Sequence, residues 1–211
     1  MSTAGLFNER ALDYDFWYSK NKVTAINEVR LVKSLMHETA HPCIEIGVGS
    51  GYFASKVNCH IGLDPSIEML RLAQRRKIEV ILGRAEKIPL LDNSMGTVLI
   101  IVSICFMDNP HEALQEVYRI LKKNGSLITC IVPSESPWGM YYRELGAQGH
   151  PFYSLARFFT LRQLMDIASD TGFRVESIRA ILTYAPWEEP RPEEPVEYTG
   201  REGFVCVRFR K

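Results

Sequence analysis

The chain reads as one α/β domain on a mostly parallel sheet, and three observations predict it. Short apolar runs alternate with helix-like segments five times between residues 43 and 132, the order that βαβ units produce. Thr97 to Ser103 (TVLIIVS) has an unbroken apolar centre, as expected for a strand covered on both faces. The first run, Cys43 to Ile46, enters a glycine loop. The 211 residues are 46% hydrophobic and 24% charged, enough for one sizeable core with a small cap or arm.

Each element has a local reason. Val23, Ile26, Val29, Val32 and Met36 recur at spacings of three and four, which predicts an amphipathic helix that His41-Pro42 ends. Residues 1–41 are therefore read as a helical arm. Tyr52 to Val57 is long enough for a short helix. His60 to Leu63 is a second apolar run ending at Asp64, Ser66 to Arg76 a helix, and Glu79 to Leu82 a third strand. After Thr97–Ser103, Asn109-Pro110 starts a helix with a capping side chain and a proline at its first position. Ala113, Leu114, Val117, Ile120 and Leu121 form its stripe, Asn124-Gly125 ends it, and Ser126 to Val132 is a fifth strand.

From Pro133 the rhythm breaks. Residues 133–159 lack clear periodicity and hold seven aromatics, so they are read as a small cap over the substrate side. Thr160 and Gln163 form a capping box for a helix stopped by Gly172. Phe173 to Leu182 and Gly203 to Phe209 are the sixth and seventh strands, and 186–200, proline-rich and acidic, is a surface loop between them. No repeat or second domain is visible, so 1–211 is read as one domain.

Lys+Arg and Asp+Glu both total 25. Without a basic run, nucleic acid is not expected as a partner. The five cysteines form no metal-like spacing and are expected to be reduced, mostly buried thiols. No acidic or histidine cluster suggests a metal. The first residues lack an apolar signal core and no stretch approaches ~18 apolar residues, so a cytoplasmic protein without a membrane partner is expected.

Ile44-Glu45-Ile46-Gly47-Val48-Gly49-Ser50-Gly51 carries the most chemistry. Glycines at alternate positions after a buried strand let the backbone turn and a ligand lie against its N–H groups. Glu45, at the carboxyl end of that strand, favours a cationic ligand group such as an ammonium. Asp64 ends the second strand, where a carboxylate accepts both hydroxyls of a ribose. Together these describe a site for an adenosyl amino acid.

In these residues the sequence resembles the class I methyltransferases that use S-adenosylmethionine (SAM), most closely their compact small-molecule branch, sometimes called type 11. EIGVGSG, GLDPSIEML, GRAEKIPLLDNS and EALQEVYRILKKNGSLI match that family's motifs in order. The resemblance implies a Rossmann-like three-layer sandwich with a mostly parallel seven-stranded sheet, and SAM as methyl donor to a small molecule. It places Gly47, Gly49 and Gly51 along the methionine part, with Glu45 near its ammonium. Asp64 is implied on the ribose, Pro65, Ser66 and Met69 beside the adenine, Ala85 and Glu86 on its other face, and Ser103 and Ile104 under the sulfonium.

Three departures stand out. Arg84 replaces the aspartate many relatives carry, the first crossover is short, and Cys105-Phe106 stands where a histidine is common. Methyl transfer from a sulfonium releases a neutral group, so alignment and a dry site supply most of the acceleration, and no catalytic dyad is assigned. Tyr142, His150, Tyr153 and Cys105 are candidates to orient the acceptor, and Tyr14, Trp17 and Tyr18 for an arm closing over SAM, with Tyr14 and Tyr18 on the cofactor. A nicotinamide enzyme is disfavoured because its GxGxxG fingerprint is absent. Nucleic-acid acceptors are disfavoured because 103–110 (SICFMDNP) lacks an Asn/Asp-Pro-Pro-aromatic motif. The rival from another class is a SAM-binding regulatory subunit without turnover. The oligomeric state is left open.

Overall fold

The computed structural model describes residues 2–37 and 39–211. Its strands are β1 (Cys43–Ile46), β2 (Ile61–Asp64), β3 (Glu79–Leu82), β4 (Met95–Ile101), β5 (Leu121–Ile131), β6 (Arg174–Ile181) and β7 (Phe204–Arg210). They form one sheet in the order β3-β2-β1-β4-β5-β7-β6. β1 to β5 run parallel, and β7 is antiparallel to both neighbours. The fold is the Rossmann-like, seven-stranded α/β architecture expected.

Strand alternation explains why the sheet needs cover on both faces. Val98 and Ile100 of β4 join the apolar cluster under α5 (Pro110–Ile120) and α7 (Leu161–Asp170). Leu99 and Ile101, pointing the other way, join the cluster with α3 (Lys22–Leu35) and α4 (Ile67–Arg75). Side chains at successive strand positions face opposite sides, so a strand between two helical layers must be apolar at every position. β1 and β4 are neighbours but their crossovers leave in opposite directions. That opens a crevice at their carboxyl ends, where ligands bind in open α/β sheets.

The capping signals hold. Ser66, Asn109 and Thr160 each accept a hydrogen bond from the backbone N–H three residues on, and Thr160 and Gln163 complete a reciprocal box. Several boundaries move. The Asn109-capped helix stops at Ile120, and Leu121 already belongs to β5, with exposed Lys122 to Asn124 looped out before pairing resumes at Ser126. The segment after β1 forms only a 3-10 turn, Ala54–Lys56. β4 ends at Ile101, leaving Ser103 beyond the strand.

Two larger differences matter more. Residues 133–159 contain a helix, α6 (Pro137–Ala147), started by Ser136, whose hydroxyl accepts from the Gly139 amide. The amino-terminal arm comprises α1 (Thr3–Glu9) and α2 (Ala11–Lys20) before α3. On α3 the buried face is broader than the expected stripe: Val29 and Val32 are buried and Val23 and Met36 half-buried, but other residues join them. Ile26 is 43% exposed, while Thr24, Ala25, Asn27, Glu28 and Leu31 are buried.

The expectation of free thiols fails for four cysteines. Cys43 is bonded to Cys59 and Cys130 to Cys206, leaving Cys105 free. Sheet pairing is the reason: Cys130 and Cys206 are directly opposed on antiparallel β5 and β7, though 76 residues apart in sequence. Among the described residues no helix is long and apolar enough to cross a membrane.

Candidate functional site

The glycine loop leaves β1 at the crevice, but its donors are already engaged. The Gly47 N–H donates to the Leu63 carbonyl at 2.7 Å, Gly51 to Val48 at 2.9 Å, and Gly49 to Asp64 Oδ2 at 2.9 Å. The expected row of free N–H groups is therefore absent at these glycines. They provide room instead: a Cβ on Gly49 would meet nothing within 4 Å, whereas one on Gly47 would stand 2.5 Å from Ser103 Cβ.

The loop borders a cavity of about 370 Å³, within the size range of small-ligand sites. Glu45, Gly47, Gly49, Asp64, Pro65 and Met69 line it, together with Ala85, Glu86 and Ser103. Gly51 and Ser66 are not on its wall. Gly51 faces Ala73 and Ile78, and Ser66 is fully buried, its hydroxyl donating to Asn8 Oδ1 at 2.9 Å. Ile104 lines a neighbouring chamber instead.

Two carboxyls set the electrostatics. Glu45 is buried, and its Oε2 has no hydrogen-bond partner among the described residues. Burial holds its carboxyl well above the usual range, a hydrogen bond from the Ala54 backbone opposes this, and nearby Asp64 adds to it. An unsatisfied buried carboxylate is costly, so this oxygen is a ready acceptor for a cationic group. Burial also raises Asp64, to about 6, against backbone donors Ser66 and Gly49. Each Asp64 oxygen thus has one N–H, at 2.8 and 2.9 Å, and retains a lone pair for a hydroxyl. This donor set fits SAM: an acceptor for its ammonium, a bidentate acceptor for its ribose, and a loop without Cβ atoms where the chain of the ligand would pass.

Arg84 is tied across the mouth to Asp108 and lies 3.5 Å from Glu86. Glu86 in turn accepts from the Asp108 and Asn109 amides. α1 contributes Thr3, Ala4 and Phe7 to the wall, which sequence reading did not anticipate.

A second chamber, of about 320 Å³, lies beside the first. Tyr14, Tyr18, Val102 and Phe106 line both. Val102 has φ of 45°, a strained conformation for a β-branched residue at the junction. The structure brings Trp17, Cys105, Tyr142, His150 and Tyr153 into this chamber. Tyr153 stacks on both Tyr142 and His150 with centroids 4.3 Å apart. Burial pushes the Cys105 thiol up to about 12, which makes it a poor nucleophile. Burial and then Arg10 lower the His150 pKa, favouring neutral imidazole. Sequence reading missed Glu28, a buried carboxyl on the chamber wall. The signal was a charged residue three positions after Ala25 and three before Leu31, on the stripe α3 buries.

The glycine-loop part of the chain, residues 44–129, matches the family model described as "Methyltransferase domain". A solved structure from Thermotoga maritima is 36% identical, with 99% of each chain covered and a TM-score of 0.91. It is described as a SAM-dependent methyltransferase, "possible histamine N-methyltransferase". A Methanocaldococcus jannaschii protein of no stated function is 31% identical over 207 residues, covering 98% of each. A Mycobacterium tuberculosis protein, likewise without a stated function, is 35% identical over 178 residues, and the chain spans only 62% of its length. On this evidence of sequence, fold and site together, the chain belongs to the class I methyltransferase family, whose methyl donor is SAM.

Proposed function

We propose that this protein transfers a methyl group from SAM to a small molecule enclosed in the aromatic chamber. The observation that carries the reading is the pair of contiguous chambers separated only by shared walls at Tyr14, Tyr18, Val102 and Phe106. One chamber offers charged and polar acceptors, and the other is rich in aromatic side chains. A macromolecular acceptor would favour a broad open groove, whereas Tyr14, Trp17 and Tyr18 of the arm and Tyr142 of α6 wall this chamber.

In this reading Glu45 takes the ammonium of SAM, Asp64 the ribose hydroxyls, and Gly47 and Gly49 leave space for the methionine chain. Pro65, Met69, Ala85 and Glu86 surround the adenine, and Ser103 lies toward the sulfonium. Arg84 cannot accept from an adenine amino group; paired with Asp108 it closes the mouth instead. SAM supplies an activated methyl on a positively charged sulfur. The chain aligns the acceptor behind that methyl and keeps water out, which together provide most of the acceleration. Aromatic faces at the junction favour positive charge there.

A test is incubation of the whole chain with methyl-labelled SAM and a metabolite extract. Label is expected in a low-molecular-weight product, and calorimetry is expected to show SAM binding far tighter than NAD. Tighter NAD binding, or label only in macromolecules, would overturn the reading.

A further inference from the structure

We propose that the acceptor is an amine, and that Glu28 of α3 holds its nitrogen and takes its proton. This rests on the reading of the aromatic chamber as the acceptor site. Three buried polar residues lie together on α3, and two have an architectural purpose. Thr24 Oγ1 is 3.0 Å from the Tyr184 hydroxyl. Asn27 donates to the Arg191 carbonyl at 2.8 Å and accepts from the Glu193 amide at 3.0 Å, pinning the acidic loop to the body. Glu28 lines the chamber, is 6% exposed, and makes no hydrogen bond or ion pair with any described residue. A buried, unpaired carboxyl weakens the fold, and an apolar residue there would pack without that cost.

The surroundings specify the missing partner. Beyond the effect of burial, the Glu28 charge raises the pKa of the chamber tyrosines Tyr14 and Tyr18 from α2, Tyr142 from α6 and Tyr153 after it, and of Tyr52 and Tyr184, which do not line the chamber. The chamber's other charges are Arg10 and Asp13, which pair with each other at 3.5 Å. Among the described residues no cation is paired with Glu28. Tyrosine rings around one carboxyl form a cage for an ammonium: the rings attract it through their faces, and the carboxylate accepts its N–H. Burial alone lifts the Glu28 carboxyl to about 8, closer to the range of an ammonium than a solvated carboxylate lies, so proton transfer from an ammonium to Glu28 costs less there.

The step balances. An entering R–NH₃⁺ gives one proton to the Glu28 carboxylate and becomes R–NH₂. The freed nitrogen lone pair forms the N–C bond to the methyl while the C–S bond breaks, its electron pair staying on sulfur. R–NH₂⁺–CH₃ leaves, and Glu28 returns its proton to solvent.

The test is calorimetric titration of the full chain, loaded with S-adenosylhomocysteine, using benzylamine, 2-phenylethylamine and tyramine against the matching alcohols. A charge-assisted bond predicts that at least one amine binds roughly tenfold to a hundredfold more tightly than its alcohol. Glu28→Gln, nearly isosteric, is expected to abolish that preference while leaving alcohol binding and SAM affinity within a few-fold. Equal binding of amines and alcohols by the unaltered protein overturns the inference, whether or not the variant folds. So does an amine preference that survives in folded Glu28→Gln. Failure of the unaltered protein to bind SAM would instead overturn the methyltransferase reading beneath it.

Discussion

Replacing Gly47 and Gly49 separately by alanine should separate stability from binding within one loop. Both have positive φ, 71° and 52°, so each substitution carries a left-handed penalty of about 1–2 kcal/mol. Only Gly47→Ala adds a collision. Its Cβ would stand 2.5 Å from Ser103 Cβ and 2.7 Å from Ser103 Oγ. Ser103 cannot turn aside freely, because its hydroxyl donates to the Ile46 carbonyl at 2.9 Å. Overpacking adds about 1–3 kcal/mol, for a total of about 2–5 kcal/mol. In a chain of this size about 1 kcal/mol lowers Tm by roughly 2–4 °C. Gly47→Ala is therefore expected to melt roughly 4–20 °C lower, and Gly49→Ala roughly 2–8 °C lower. The new methyl of Gly49→Ala enters open cavity, so SAM affinity should fall more than stability does. Urea titration with an unchanged m-value, alongside SAM calorimetry, reads both. Equal destabilisation by the two substitutions, or unaltered SAM binding by Gly49→Ala, would refute the reasoning.

Three further outcomes follow from named contacts. Asp64 titrates at 3.8 in a free chain but near 6 when folded. The unfolded chain thus loses this proton first, and stability falls as pH rises from about 4 to 6, by about 3 kcal/mol for about two pKa units. Asp64→Asn should flatten that part of a pH series of urea titrations, and should weaken SAM binding by at least about tenfold through lost charge-assisted hydrogen bonds. Tyr153→Leu should reduce acceptor turnover with SAM affinity within a few-fold; lower thermal stability with normal turnover per folded molecule would make the residue purely structural. Arg119 donates to the Ile88 and Leu90 carbonyls and pairs with Asp92 and Glu116, clamping the loop before β4. Its replacement by methionine should lower urea-derived stability by about 1–3 kcal/mol.

The sheet was legible because its period is short and its covers are apolar. The capping signals at Ser66, Asn109 and Thr160 were legible because each acts within three residues. What the sequence hid depends on longer distances. The pairing of Cys130 with Cys206 follows from strand register, which no local spacing encodes. The first turn of α6 did carry a signal, Ser136 followed by Pro137, and Trp138, Tyr141, Tyr142 and Leu145 beyond it stand at helical spacing; the glycines and proline around this short stretch masked it. On α3, Val29 and Val32 of the expected stripe are buried, but Ile26 is exposed, and polar Thr24, Asn27 and Glu28, which no apolar spacing marks, are also turned inward. The glycine loop was found, but its N–H groups turned out to be bonded within the protein. The resemblance places Gly51 and Ser66 beside the ligand, and the fold uses them as packing behind it.

Tyr14 and Tyr18 stand in the walls of both chambers, with ring centroids 6.0 Å apart. The rings are carried by α2, so a ligand that orders this helix in one chamber also orders it for the other, and the entropy of fixing it is borne once for two binding events. In the proposed reading, donor and acceptor affinities are therefore expected to be thermodynamically linked. Linkage is reciprocal: the factor by which the donor tightens acceptor binding equals the factor by which the acceptor tightens donor binding.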